Sequence, residues 1–133
     1  MIFIDSGPFL GRYLRNDPHR DVAMRAWDLL GSQALVTSNY VLDETFTLLA
    51  RRAGYQFAAE RAERFYASEA FEIVSAVRED ELTAVHLFKK FADQKVSCTD
   101  CVSFAIMRRC GLLTAFTFDR HFLHAGFHVI GLQ

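Results

Sequence analysis

An α/β fold built on a mostly parallel sheet of four to five short strands is what this sequence predicts, and two patterns predict it. Short apolar runs bounded by turn residues alternate with longer segments of helical periodicity, and the links between them are brief. No internal repeat, low-complexity tract or Pro/Ser-rich linker breaks that alternation, so residues 1–133 are expected to form a single domain. A chain of this length buries a substantial core.

The elements follow in order. The first strand, Ile2 to Ile4, ends at Asp5-Ser6-Gly7-Pro8, with Pro8 expected at the first helical position, where a missing N–H costs nothing. A short helix near Phe9 to Arg15 is broken by Asn16-Asp17-Pro18. Asp17 is expected to cap the next helix, which carries Ala23, Met24, Trp27 and Leu30 and ends at Gly31. Ala34 to Thr37 reads as the second strand. Ser38 then caps a helix running to about Ala53 and closed by Gly54. In that helix Leu42, Thr45, Phe46 and Leu49 form the core-facing stripe, and Glu44 lies off it beside Thr47 and Arg51. A helix from about Gln56 to Ser68 sets Phe57, Ala58, Ala62, Phe65 and Tyr66 against a charged face. Phe71 to Val74 is the third strand, and Glu79 to Ala92 another helix. Ser97-Cys98-Thr99-Asp100 matches a capping box opening the helix Cys101 to Cys110, stopped by Gly111. Leu112 to Phe118 is the fourth strand, ending at Asp119, and Phe127 to Leu132 a short edge strand.

Composition narrows the function. The net charge is −1, from 15 basic and 16 acidic residues, which excludes a basic nucleic-acid coat. No segment approaches the run of about 20 apolar residues that spans a bilayer. The opening Met-Ile-Phe-Ile-Asp has neither a basic leader nor a small-residue cleavage site, so a mature cytoplasmic protein without membrane association is expected. Cys98, Cys101 and Cys110 crowd into one helix and cannot all pair, which favours reduced thiols. The C-x-x-C formed by Cys98 and Cys101 has no second pair or thioredoxin-like setting. A structural zinc site would need four ligands at recognisable spacing.

The informative feature is the position of four acids. Asp5 and Asp119 directly follow apolar strands, Asp100 sits in a first helical turn, and Glu44 lies about a turn into the helix after the second strand. In a parallel sheet these places converge on one edge. Gathered like charges need a cation, and oxygen ligands suit Mg²⁺ or Mn²⁺. Each acid also has a local explanation. Asp5 can bind turn amides, Glu44 can pair with Arg51 on a solvated face, Asp100 can be the reciprocal half of a capping box, and Asp119 can be a plain loop residue. Joint placement on one rim favours the site. Setting the four acids aside leaves the remainder at +3, which permits phosphate binding nearby.

With those segments in hand, the chain resembles PIN-domain nucleases, and in particular VapC-type ribonuclease toxins of toxin–antitoxin systems, over nearly its whole length. The matching segments are Ile2-Phe3-Ile4-Asp5-Ser6, Asp43-Glu44, Ser97-Cys98-Thr99-Asp100-Cys101 and Thr117-Phe118-Asp119-Arg120-His121-Phe122. Ser6 within Ser-Gly-Pro departs from the Thr-Asn of many relatives, and Asp43 neighbours Glu44 next to the stripe residue Leu42. The resemblance implies a three-layer α/β/α sandwich and a metal-dependent endoribonuclease. Its metal-binding acids fall on Asp5, Glu44, Asp100 and Asp119, and its supporting hydroxyl on Thr117. It also implies an RNA substrate, a small antitoxin partner that blocks the cleft and covers an apolar groove, and a homodimer. Phe46, Phe57, Phe65 and Tyr66 are candidates for that groove, for the homodimer surface or for the core.

The implied chemistry is coherent. A divalent ion lowers the pKa of bound water and acts as a Lewis acid on phosphate, so no nucleophilic side chain is needed. Asp5, Asp100 and Asp119 would be ligands, Glu44 a ligand or the orienter of the attacking water, and Thr117 a support. Arg120 and His121, with His124, follow the fourth acid, and they read either as phosphate contacts or as a solvated loop. His121 suits a hard cation less well than the carboxylates do. Lys89, Lys90 and Lys95 read as a solvated helix end and loop.

Two rivals are weaker. A PIN-shaped module that binds nucleic acid or protein without turnover would not require the intact acid set. A phosphoacceptor receiver domain resembles a different pattern, with adjacent acids after strand one and a late lysine; here Asp5-Ser6 stands there and the last lysine is Lys95. Haloacid-dehalogenase phosphatases place Asp-x-Asp after strand one, where this chain has Gly7.

Overall fold

Five short strands, β1 (Ile2–Ile4), β2 (Leu35–Ser38), β3 (Phe71–Val74), β4 (Thr114–Phe116) and β5 (His128–Ile130), pair in parallel throughout, in the order β3-β2-β1-β4-β5. The computed structural model describes residues 1–132; Gln133, the last residue of the expected domain, lies outside the described residues. Helices α1 (Ser6–Tyr13), α2 (Arg20–Leu30), α3 (Asn39–Ala53) and α4 (Tyr55–Ala67) link the first three strands. Helices α5 (Arg78–Lys90), α6 (Cys98–Arg109) and α7 (Arg120–His124) lead to the last two.

The chain steps one way across the sheet from β1 to β3 and then the other way to β4 and β5. Right-handed crossovers therefore place α1–α4 over one face and α5–α7 over the other. Aromatic packing divides in the same manner. Phe9 packs on Trp27, Phe65 and Phe71, and Trp27 on Phe116. Separately, Phe104 packs on Phe91, Phe122 and Phe127. The result is the expected α/β/α sandwich, with the sheet parallel in every pairing. Ile2, Phe3 and Ile4 are all buried, as a central strand covered on both faces requires. Full burial of a Phe of this kind stabilises the fold by roughly 2–3 kcal/mol relative to exposure.

Several expectations are corrected. Helix α1 begins at Ser6, so Pro8 stands at its third position. Its absent N–H is still one of the four that lack a partner in a first turn. Asp17 does not cap α2 directly: His19 is the cap residue, and Asp17 Oδ1 accepts the His19 N–H at 2.8 Å in the turn before it. Strand β4 is much shorter than Leu112 to Phe118. The Leu112 N–H is taken by the Met107 carbonyl at the end of α6, and past Phe116 the chain turns, with Thr117 Oγ1 accepting the Asp119 N–H. Helix α5 ends at Lys90, and Ala92–Gln94 tighten into a 3-10 turn. Arg120, His121 and His124 lie on a short helix, α7, capped by Asp119, rather than in a loop.

Sequence reading gave no hint of the Asp80–Arg109 fork that joins α5 to α6. Arg109 Nε and Nη2 donate to the two Asp80 oxygens at 2.8 and 2.9 Å, and the guanidinium holds the Asp80 carboxyl below the ordinary carboxylate range. Among the described residues, no helix is long and apolar enough to cross a membrane. The three cysteines are unpaired, Cys101 buried and Cys98 and Cys110 exposed.

Candidate active site

The strand order reverses between β1 and β4, because the connections leaving them run in opposite directions. Helices diverge there and leave a crevice outside the carboxyl ends of the strands, which is where open α/β sheets bind ligands. Ile4 pairs with Phe116, so the residues that follow, Asp5 and Thr117, leave the sheet side by side. They are 112 positions apart in sequence, yet Thr117 Oγ1 donates to Asp5 Oδ2 at 2.7 Å.

Each carboxylate is placed by a local device. Asp5 occupies the cap position of α1 but makes no capping bond to it, and the adjacent Ser6 amide favours its charged form. Asp119 is brought round by Thr117, whose Oγ1 accepts the Asp119 N–H at 3.0 Å. Its own Oδ1 caps α7 by accepting the His121 N–H at 2.8 Å. Ser97 Oγ caps α6 by accepting the Asp100 N–H at 3.1 Å. The reciprocal half of that capping box is not formed among the described residues, and the Asp100 carboxylate faces the cleft instead. Glu44 does not pair with Arg51: Ser6 Oγ donates to Glu44 Oε1 at 2.6 Å. Asp43, one place earlier, is exposed and lines a different groove.

These side chains line an open cleft of about 530 Å³. Asp5, Glu44, Asp100 and Asp119 supply its acid, and Lys95, Arg120, His19 and His121 its rim. Thr117 lies behind it, fully buried. One donor atom each from Asp100, Asp119 and His121 lie within 4.8 Å of one another, and His121 Nδ1 is 3.0 Å from Asp119 Oδ1. His121 thus stands at the rim of the cleft with its ring against the Asp119 carboxylate. Lys95, expected in a solvated loop, lies on this rim, and His19 and the Ser6 anchor join the site without having been expected there. The seryl hydroxyl beside the first acid was the available signal for the last of these.

Electrostatics shows that the cluster is costly when only protons balance it. Asp100 is 6 % exposed and Asp5 5 %. Burial pushes the Asp100 carboxyl up to about 9, helped by the negative charges of Asp5, Asp119 and Glu44. Burial likewise pushes Asp5 up to about 6, against the lowering effect of its Thr117 hydrogen bond. Asp5 Oδ1 is buried without a hydrogen-bond partner among the described residues. An orphaned carboxylate oxygen among other carboxylates is a hard-oxygen donor set, and it fits a divalent cation such as Mg²⁺ or Mn²⁺.

Thr117→Val keeps the shape of the buried side chain and removes both of its hydrogen bonds. A loss of about 10–100-fold in activity or metal affinity is expected, with Thr117→Ser close to wild type. Titration with Mn²⁺ monitored by activity checks it, and equal midpoints for the Val and Ser variants would remove Thr117 from the site.

A family model described as PIN domain matches residues 2–128. Two Mycobacterium tuberculosis proteins, from strains CDC 1551 / Oshkosh and ATCC 25618 / H37Rv, are described as 23S rRNA-specific endonuclease VapC20. Each is 35% identical to this chain over 133 residues, covering 96% of this chain and 95% of its own length. The crystal structure of M. tuberculosis VapC20, a sarcin-ricin loop cleaving toxin, matches with a TM-score of 0.88 at 31% identity over 96% of each chain. FitAcB from Neisseria gonorrhoeae shares the fold with a TM-score of 0.74 at 18% identity, over 98% of this chain and 96% of its own. A toxin–antitoxin complex from Klebsiella pneumoniae does so at 0.63 and 14% identity, over 90% and 88%.

Proposed function

This chain belongs to the PIN-domain family, among its VapC-type proteins, and from that membership we propose that it is a metal-dependent endoribonuclease and the toxin of a toxin–antitoxin pair. The observation that carries the reading is the set of four carboxylates at the sheet's switch point, one with a buried oxygen that no described residue bonds. The whole chain serves as one nuclease domain, acting on RNA in the cytoplasm. The relatives described as 23S rRNA-specific make ribosomal RNA the first substrate to test.

Asp5, Asp100 and Asp119 hold Mg²⁺ or Mn²⁺. When bound, such an ion supplies water activated at neutral pH and a Lewis acid for the phosphate oxygens. Glu44, fixed by Ser6, is a further ligand or orients the attacking water and accepts its proton. Thr117 fixes which Asp5 oxygen remains free. Arg120 and His121 meet the RNA backbone at the rim, a contact that positions the strand without reading sequence.

A small antitoxin is the proposed partner. Its seat is the groove of about 530 Å³ between α3 and α4, lined by Phe46, Ala58, Ala62 and the exposed Tyr55 and Tyr66. Phe65 is buried in the core and takes no part in that groove. A homodimer belongs to the same proposal, and the exposed Leu82, Val85 and Phe88 of α5 offer it a surface.

Incubation of the purified protein with ribosomal RNA and Mn²⁺ tests the reading. Cleavage that EDTA stops and added Mn²⁺ restores is the expected result. Cleavage unaffected by EDTA would reject the metal. RNA bound but never cut would favour the module without turnover.

A further inference from the structure

His19 and Phe118 form a stacked pair on the acidic cleft, with ring centroids 4.4 Å apart and planes 7° from parallel. Both residues line the cleft that holds Asp5, Asp100 and Asp119. They reach it from different elements, and each is fixed. Phe118 directly precedes Asp119 and is hemmed in by two glycines. A Cβ on Gly7 would meet its ring at 3.1 Å, and one on Gly131 would do the same. Its ring also packs edge-on against Phe116. His19 is held by its backbone: the N–H donates to Asp17 Oδ1 at 2.8 Å, while Arg52 Nη1 binds Asp17 Oδ2 at 2.8 Å. Asp17 is a buried carboxylate whose two oxygens both serve to pin this turn, and Pro18 stiffens it further.

The imidazole at the end of this scaffold is nonetheless 55 % exposed. A core ring would be covered, and a solvated histidine would not need a pinned loop and an aromatic backing. A flat ring, immobilised in advance and open beside a cleft rimmed by Lys95 and Arg120, matches the platforms on which single-stranded nucleic acid stacks its bases. Because the ring is already ordered, little further entropy is lost when a base covers it.

We propose that His19, backed by Phe118, is a stacking platform for one unpaired nucleobase of the RNA next to the scissile phosphate. The proposal rests on the ribonuclease reading and adds a substrate subsite to it. Every base has a π face, so the platform selects for a base free to leave its neighbours, in a loop or single strand, and not for one base type. Arg120 and Lys95 lie on the same cleft and are placed to take the flanking phosphates.

The test is a cycle between protein and RNA. Fluorescein-labelled single-stranded oligoribonucleotides, intact or with an abasic site stepped along the strand, are bound to Asp100→Asn protein with and without His19→Ala, followed by anisotropy. Cleavage by otherwise wild-type protein in Mn²⁺ gives kcat and KM in parallel. His19→Ala is expected to weaken binding and raise KM about tenfold with kcat changed less than about twofold, and His19→Phe to restore both. One abasic position should cost the His19 protein about tenfold and the His19→Ala protein almost nothing. Equal losses in both proteins at every position would overturn the platform, as would a His19→Ala protein that binds intact RNA normally. RNA that is bound but not cut would sink the nuclease reading alone, since the binding cycle still judges the platform. Protein that binds none of the oligonucleotides would overturn both.

Discussion

Asp100→Asn is expected to abolish RNA cleavage, by a factor of about a thousand or more, while the protein melts at the same temperature or higher. Transition-state stabilisation by a catalytic ion is worth several kcal/mol, and each 1.4 kcal/mol is about tenfold in rate. The amide cannot carry the charge that holds the ion. It does keep the size of the carboxylic acid and the ability to donate to Asp119, so it copies the protonated form that burial favours. Asp5→Asn should be equally inactive. Its amide oxygen still accepts from Thr117, but its NH₂ is set in the place where Asp5 Oδ1 has no partner among the described residues, so a smaller gain in stability is expected. Parallel cleavage assays in Mn²⁺ and melting curves at pH 8 without metal decide the matter. Variants that are both inactive and clearly destabilised would make these acids structural.

The second large effect is on stability in the absence of metal. Asp5 and Asp100 both have folded-state pKa values above the ordinary carboxylate range. The folded protein therefore binds more protons than the unfolded chain, and stability drops with rising pH. Their contribution is fully present below about pH 4, where both states are protonated. It is lost as pH climbs through about 6 for Asp5 and about 9 for Asp100. Asp80 works in the opposite sense, since its lowered pKa makes its contribution disappear on acidification. The metal-free protein should consequently melt lower at pH 9 than at pH 5. A drop of at least about 5 °C is expected, as a loss of about 1.4 kcal/mol produces in a domain of this size. Saturating Mn²⁺ should erase most of that drop, because the cation replaces the protons and binds the native state alone. Asp100→Asn should flatten the upper part of the curve. A melting temperature that rises steadily from pH 5 to pH 9 without metal would show that the cluster carries no strain for a cation to relieve.

The sequence made the architecture legible because the relevant signals are local and repeated. Apolar runs such as Ile2 to Ile4 and caps such as Ser38 and Ser97 mark element types on their own, and Ser38 and Ser97 accept the N–H bonds expected of them. What blurred was decided by contacts between elements. The last strand before Asp119 is short because Met107 of α6 claims the Leu112 N–H at one end and the Thr117 hydroxyl turns the chain at the other, and an apolar run announces neither. The five-residue α7 is too short to show periodicity, and only its cap, Asp119, announces it.

The acids were legible as positions but not as contacts. Strand ends and helix starts indicated which carboxylates share a rim. Nothing in the order of residues indicated that Ser6 would anchor Glu44 or that Asp100 would leave its capping box half made. The loop between α1 and α2 was the least readable. Asp17 looked like an ordinary cap, and its pairing with Arg52, 35 positions away, is what presents His19 to the cleft.

A crystal of this protein soaked in Mn²⁺ and measured for anomalous scattering tests the central claim most directly. The account predicts a strong peak in the cleft touching Asp5, Asp100 and Asp119, and its loss in Asp100→Asn crystals soaked in the same way. A cleft empty of manganese, with these carboxylates bonded only to neighbouring protein groups, would contradict it.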